Sequence, residues 1–123
     1  MEELKKLGLT GKEIIVYETL LKFGRCEAYT ISEYSKVPPT AVYLNLKLLI
    51  NKELVQKIKG ETNMFEAIEP SIAIKTLTEK RINELKNTAE EIIPRLKFLF
   101  PEKEKINKVI AFLSHGDEAS YYI

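Results

Sequence analysis

Apolar residues recur along this chain at two different periods, and the changes of period divide it. Leu7 and Leu9 are followed by Ile14, Tyr17, Leu20 and Leu21 at three- and four-residue spacing. That spacing predicts an amphipathic helix burying Leu9, Ile14, Tyr17 and Leu21. Its start is set by Thr10-Gly-Lys-Glu13, a capping box in which the Thr10 hydroxyl accepts the amide proton of the third helical residue and Glu13 reaches back to the cap amide. Gly24 stands where a left-handed residue stops the helix. A second short helix fits 27–35, with Ala28 and Ile31 inward. It halts before Val37-Pro38-Pro39, because the residue preceding a proline avoids the helical region, which makes 36–38 the turn. Pro39 suits the first turn of a third helix, where the missing N–H has no partner to lose, and Val42, Leu46 and Leu49 recur on one face up to Lys52. The period then shortens. Residues 54–59 and 64–68 read as strands flanking Gly60-Glu-Thr-Asn63, a hairpin. Helix, helix, turn, helix, hairpin is the order of a winged helix-turn-helix.

After Pro70 the helical period returns, first through Ile74 and Leu77. Ile82, Leu85, Ala89, Ile92, Leu96 and Leu99 then follow at intervals of 3, 4, 3, 4 and 3. This is the spacing of a two-stranded coiled-coil seam, so these six residues are the predicted dimer contact. Pro94 lies on the outer side of the seam, where it bends the helix without entering the interface, and Phe98-Leu-Phe-Pro101 ends it. Beyond, 108–114 fits either a strand or a helix through Ile106, Val109, Ile110 and Leu113. The predicted fold is therefore mainly α with a small β-hairpin: a winged helix-turn-helix over 1–70, a long coiled-coil dimerisation helix over 71–100, and a C-terminal tail over 101–123.

Composition narrows the function. The 123 residues are 45% apolar and 30% charged, with Lys+Arg 19 against Asp+Glu 18. A net charge of +1 excludes a uniformly basic coat for nucleic acid, so any charged patch is local. Residues 36–59 hold such a patch, with Lys36, Lys47, Lys52, Lys57 and Lys59 against Glu53 alone, the clustering a phosphate-facing surface needs. No apolar run is long enough to span a membrane. The single Cys26 makes neither an intramolecular disulfide nor a cysteine zinc site, and the N-terminus lacks a signal-peptide pattern, which points to the reducing cytoplasm. His115-Gly-Asp-Glu118 lacks the spacing that orients metal ligands, Cys26 has no nearby histidine, and no phosphate-binding glycine loop is present. No cofactor, metal or catalytic residue is expected.

At Leu7-Gly-Leu-Thr10, Val16-Tyr17, Val37-Pro38 and the run Val42-Tyr43-x-x-Leu46-x-x-Leu49-x-x-Lys52-x-Leu54-Val55, the chain resembles the TrmB family of archaeal sugar-responsive transcriptional regulators. The resemblance covers roughly residues 4–99. It implies a homodimer that binds double-stranded DNA, as a transcriptional regulator or a chromatin-like protein. Gly116-Asp-Glu-Ala119 echoes the start of that family's C-terminal effector domain, which would only begin where this sequence stops. No small-molecule effector is therefore expected in this chain, since a pocket of roughly 300 Å³ or more needs more than 101–123 can supply. The sequence departs from the family's pattern at Lys36, in place of a usual turn Gly; at Pro39, in place of a basic residue; and at Glu53, in place of the Gly before the wing. Glu61, Asn63, Met64 and Glu66 occupy a wing where relatives tend to carry Arg or Lys.

With Val42, Leu46 and Leu49 inward, the third helix turns Thr40, Tyr43, Leu44 and Lys47 outward as candidates to face DNA, and Pro39 and Ala41 share its first turn. Thr40 suits a phosphate, Lys47 another, Tyr43 offers its phenol, and Leu44 offers only contact with a thymine methyl. Apart from Asn45 and Asn51 this helix has no Arg, Asn or Gln, so bidentate base recognition is poor and low sequence selectivity is expected unless DNA shape supplies it. Lys36 in the turn, Lys57 and Lys59 on the wing, and Thr62 and Asn63 at its tip complete the expected DNA-binding set. Leu44 and Leu48 equally suit a hydrophobic contact with another helix, which keeps a protein-interaction module with weak or no DNA binding as the alternative. Tyr17, Tyr29, Tyr34 and Phe65 read as packing residues rather than stacking platforms.

Overall fold

The computed structural model describes residues 1–60 and 63–101. In chain order the elements are α1 (Glu3–Lys6), α2 (Gly11–Phe23), β1 (Cys26–Glu27), α3 (Ala28–Ser35), α4 (Pro39–Asn51), β2 (Val55–Lys57), β3 (Met64–Ala67) and α5 (Pro70–Leu99). Thr62 and the tail residues beyond Pro101, with the strand-or-helix alternative at 106–114 and His115-Gly-Asp-Glu118, lie outside the described residues. Met1–Asn83 forms one compact unit, and from Glu84 onward α5 belongs to a second.

The capping box forms as the sequence predicts: Thr10 N–H donates to Glu13 Oε1 at 2.9 Å, and Glu13 N–H donates to Thr10 Oγ at 3.2 Å. Gly24 ends α2 at φ 73°, a conformation that costs a residue without Cβ little. The buried face of α2 is wider than the expected one and exchanges Leu21 for Leu20. Leu20 is buried and Leu21 is exposed, and Val16 and Glu13 are buried as well. Ile14, Tyr17 and Leu20 step by threes along the helix, and Leu21 is turned about 100° beyond Leu20. The short α1 carries no periodic signal of its own in the sequence; Leu4 and Leu7 of this first segment pack against the core.

The hairpin predicted at 54–68 forms, and a third strand joins it. Cys26–Glu27 pairs antiparallel with β3, aligning Cys26 with Phe65, so the sheet order is β1-β3-β2. Two residues carry no readable periodicity, and β1 exists because β3 offers it an edge. Cys26 is therefore buried in a strand, and burial pushes its thiol pKa up. Leu9, Ile14, Tyr17 and Leu20 meet Ile31, Val42, Leu46, Leu49, Leu54, Val55 and Phe65 in one core, closed from α5 by Ala73 and Leu77. Ala73, rather than the expected Ile74, is the inward residue in the first turn of α5. The Tyr17 hydroxyl donates to the Ile68 carbonyl at 3.0 Å, tying α2 to the strand that leads into α5. Burial raises the Tyr17 pKa, with the charge of Glu69 adding to it. Glu69 caps α5 by accepting from the N–H groups of Ser71 and Ile72 and from the Ser71 hydroxyl.

Tyr17 and Phe65 pack inside as expected, but Tyr29 and Tyr34 do not. The α3 register that buries Ala28 and Ile31 leaves both tyrosines exposed, and Tyr34 stacks on Phe23 with ring centroids 4.2 Å apart. Among the described residues no helix is long and apolar enough to cross a membrane.

Candidate nucleic-acid interface

The turn between α3 and α4 is held by its own polar groups. Lys36 N–H donates to the Ser32 carbonyl at 3.0 Å, the Ser32 hydroxyl donates to the Val37 carbonyl at 2.6 Å, and Val37 N–H donates to the Ser35 hydroxyl at 3.2 Å. Lys36 adopts φ 66°, the left-handed conformation that explains why glycine is usual there. Its side chain is exposed at the entry to α4. Pro38 and Pro39 open that helix without an N–H between them, so Thr40 and Ala41 carry the first-turn donors an anion would meet.

The phase of α4 is fixed by Val42, Leu46 and Leu49, all buried, and Asn45 joins them. Thr40, Tyr43, Leu44, Lys47 and Asn51 are exposed along the other side, with Leu48 less so. Two residues depart from the expected picture. Asn45 is turned inward, its Nδ2 donating to the Ala41 carbonyl at 2.7 Å, so its amide reads no base. Ala41 is half-buried and packs against the core, leaving Pro39 and Thr40 as the exposed residues of the first turn. The phase of the helix already carried the Asn45 result, since it falls three residues after Val42 and four before Leu49.

The wing is the β2–β3 hairpin, with Val55 opposite Ala67, Gln56 opposite Glu66 and Lys57 opposite Phe65. Directly paired residues share a face. Lys57 therefore lies on the core-facing side of the hairpin but is exposed at its rim, while Gln56 and Glu66 occupy the outer face. There Glu66 accepts from Arg25 Nε at 2.9 Å and from Gln56 Nε2 at 2.7 Å, and these bonds, Arg25's first, hold its carboxyl below the usual range. Lys59 and Asn63 are exposed on either side of the tip, Asn63 at φ 57°.

Lys52 leaves the phosphate-facing cluster that residues 36–59 suggested. Its Nζ lies 2.8 and 3.0 Å from the two carboxylate oxygens of buried Glu13 and 3.1 Å from the Gly8 carbonyl. Glu53 is likewise engaged, 3.3 Å from Lys80 Nζ. The exposed cations around α4 are thus Lys36 in the turn, Lys47 on the outward stripe, and Lys57 and Lys59 on the wing. Linear charge counting missed the Lys52 pairing because its partner stands 39 residues away.

The family described as "Sugar-specific transcriptional regulator TrmB" matches residues 4–71, more than half of the chain. The HTH-type sugar sensing transcriptional regulator TrmBL1 of Pyrococcus furiosus is 31% identical over 102 residues, which are 83% of this chain and 28% of that relative. The chain thus spans less than a third of that relative's length. Among solved structures, that of TrmBL2, an archaeal chromatin protein described as showing a novel mode of DNA binding, is similar with a TM-score of 0.57 and 25% identity. The similarity covers 85% of this chain and 38% of that one. A possible transcriptional regulator from Methanosarcina mazei Go1 shares the fold, with a TM-score of 0.56 and 15% identity over 72% of this chain and 80% of its own. Because the family match runs unbroken from before the capping box through the turn, α4 and the wing into α5, the chain belongs to the TrmB family.

Proposed function

We propose that this protein is a cytoplasmic, non-enzymatic, double-stranded-DNA-binding regulator of transcription, or a chromatin-like protein, acting as a homodimer. The observation that carries this reading is the outward side of α4. It is exposed along its length and flanked by Lys36 at its entry and Lys57 and Lys59 on the wing, with Lys47 on the helix itself. Phosphate contacts from these lysines position the protein, and the helix meets the groove. Relatives named as a transcriptional regulator and as a chromatin protein support both forms of the proposal. Dimerisation is supported by Ile82, Leu85, Ile92, Leu96 and Leu99, large apolar side chains exposed along one 3-4 seam of α5, with Ala89 between them.

Titration of short duplexes over a range of salt concentrations tests the reading. Binding falls steeply with salt if the lysines neutralise phosphates. The exposed Leu44 and Leu48 favour a second reading, a protein-interaction module, under which no duplex binds at low salt. As part of the same proposal, the described residues hold no site for a sugar effector, since their buried apolar side chains belong to one packed core. Saturable binding of a mono- or disaccharide at micromolar concentration, measured by calorimetry, overturns that part.

A further inference from the structure

The outward stripe of α4 has an unusual composition for a helix that meets base edges. At about 100° per residue, the buried stripe of Val42, Asn45, Leu46 and Leu49 places Thr40, Leu44, Lys47 and Asn51 most nearly opposite it. Leu44 is 59% exposed, against 43% for Tyr43 and 37% for Leu48, and so is the most outward large apolar side chain of the helix. Side chains distinguish guanine best with the planar fork of Arg and adenine with the amides of Asn or Gln. α4 contains no Arg and no Gln. The Asn45 amide is turned inward onto the Ala41 carbonyl. Asn51 is the last residue of the helix, about 10 Å along the axis from Leu44, and it is the N-terminal part of such a helix that contacts bases. Lys47 is the phosphate contact of the stripe, and its single ammonium lacks the planar fork of an Arg. An aliphatic side chain can gain from a single feature of the major groove, the C5-methyl group of thymine.

We propose that Leu44 is the specificity-determining residue of α4 and that it recognises thymine through its methyl group. The protein then prefers thymine-bearing duplex by apolar contact rather than by a hydrogen-bonded operator code. The proposal rests on the duplex-DNA reading above. It assigns to a leucine a role that exposure alone would give to a protein contact. The lysines at the turn and wing act on phosphates and are indifferent to the base.

The test compares duplexes that differ by the methyl group alone. An A·T-rich duplex is titrated beside the same duplex with deoxyuridine in place of thymidine, and a G·C-rich duplex beside its 5-methylcytosine form. The wild type is expected to bind the thymine form about fourfold more tightly for each contacted methyl, the effect of burying one such group, and to gain similarly from 5-methylcytosine. Leu44→Ala is expected to bind the thymine and uracil forms equally while keeping the wild-type salt slope, since it removes no phosphate contact. A thymine preference that persists in Leu44→Ala arises from DNA stiffness and overturns the proposal. Equal wild-type affinity for the thymine and uracil forms, with binding still salt-dependent, overturns it and leaves the DNA-binding reading standing. Failure of the wild type to bind any of the duplexes at low salt overturns both.

Discussion

Replacing Lys52 with methionine removes the cation from a carboxylate that has no access to solvent. Glu13 is 0% exposed, and its acceptors are met by Thr10 N–H at 2.9 Å and by Lys52 Nζ at 3.0 and 2.8 Å. Lys52→Met leaves that carboxylate with one neutral donor and also removes the bond to the Gly8 carbonyl. Breaking a buried pair by deleting one partner costs roughly 3–5 kcal/mol. The Lys52 side chain is 31% exposed, so water reaches part of the vacated site, and the expected loss falls to about 2–3 kcal/mol. Methionine fills the volume of the stem, which keeps the cavity contribution small. With a urea m-value of about 1–1.5 kcal/mol/M for a domain of this size, the midpoint of unfolding should drop by about 2 M. Glu13→Gln in the same chain keeps an oxygen for the Thr10 N–H but removes the stranded charge. The double variant Glu13→Gln/Lys52→Met should therefore recover about half or more of the loss. Urea unfolding followed by far-ultraviolet circular dichroism reads all four proteins. A midpoint shift of less than about 0.3 M for Lys52→Met, or strict additivity of the two substitutions, would refute the argument that this pair fixes the end of α4 against the start of α2.

Four further outcomes are expected. Leu85→Asp with Ile92→Asp puts charges into the α5 seam and should yield a monomer by sedimentation, each aspartate costing several kcal/mol as an order of magnitude; an unchanged dimer refutes the seam. Lys47→Ala and Lys59→Ala should each weaken DNA binding uniformly across sequences and lower the salt slope by about one; a loss confined to one sequence reassigns the residue to base contact. Lys36→Gly relieves a left-handed φ of 66°, so thermal unfolding should show it as stable as the wild type or up to about 1 kcal/mol more so, while its DNA affinity and salt slope fall. Loss of both stability and affinity would mean that the Lys36 side chain supports the turn. Bonds from Arg25 and Gln56 hold the Glu66 pKa below its unfolded value, so its contribution is present above the unfolded pKa and lost as pH falls through the folded one. Glu66→Gln should flatten the acid side of the stability profile accordingly, and an unchanged profile counts against the pairing.

What could be read from the sequence was whatever is local. The Thr10–Glu13 box, the proline pair that separates α3 from α4, and the Val42, Leu46, Leu49 stripe each depend on residues within a few positions of one another, and each forms. Features that depend on distant partners are not legible there. β1 is two residues long and exists through pairing with Phe65 and Met64. The exposure of Tyr29 and Tyr34 is a local matter by contrast, since it follows from the α3 register that turns Ala28 and Ile31 inward. Buried Glu13 pairs with Lys52, 39 residues away, whereas charge counting places that lysine in the phosphate-facing cluster. Composition cannot separate a lysine that meets phosphate from one that neutralises a buried carboxylate.

The departures from the family's usual residues take on a physical meaning once the turns are seen. Lys36, Glu53 and Asn63 all adopt positive φ, at 66°, 64° and 57°, and the first two bracket α4. A left-handed conformation costs a residue with a Cβ about 1–2 kcal/mol, so each turn must be held by something outside the residue itself. At the entry the holding groups are the Ser32 carbonyl and the Ser32 and Ser35 hydroxyls. At the exit Glu53 N–H donates to the Ile50 carbonyl and Leu54 N–H to that of Leu49, Lys52 is anchored on Glu13, and Glu53 reaches Lys80 of α5. The helix proposed to face DNA is therefore clamped at both ends by bonds that do not depend on DNA. Its outward stripe carries no Arg or Gln, and its Asn45 amide is turned inward onto the Ala41 carbonyl. Discrimination then falls to what a fixed aliphatic side chain can feel, which is the presence or absence of a methyl group at its tip.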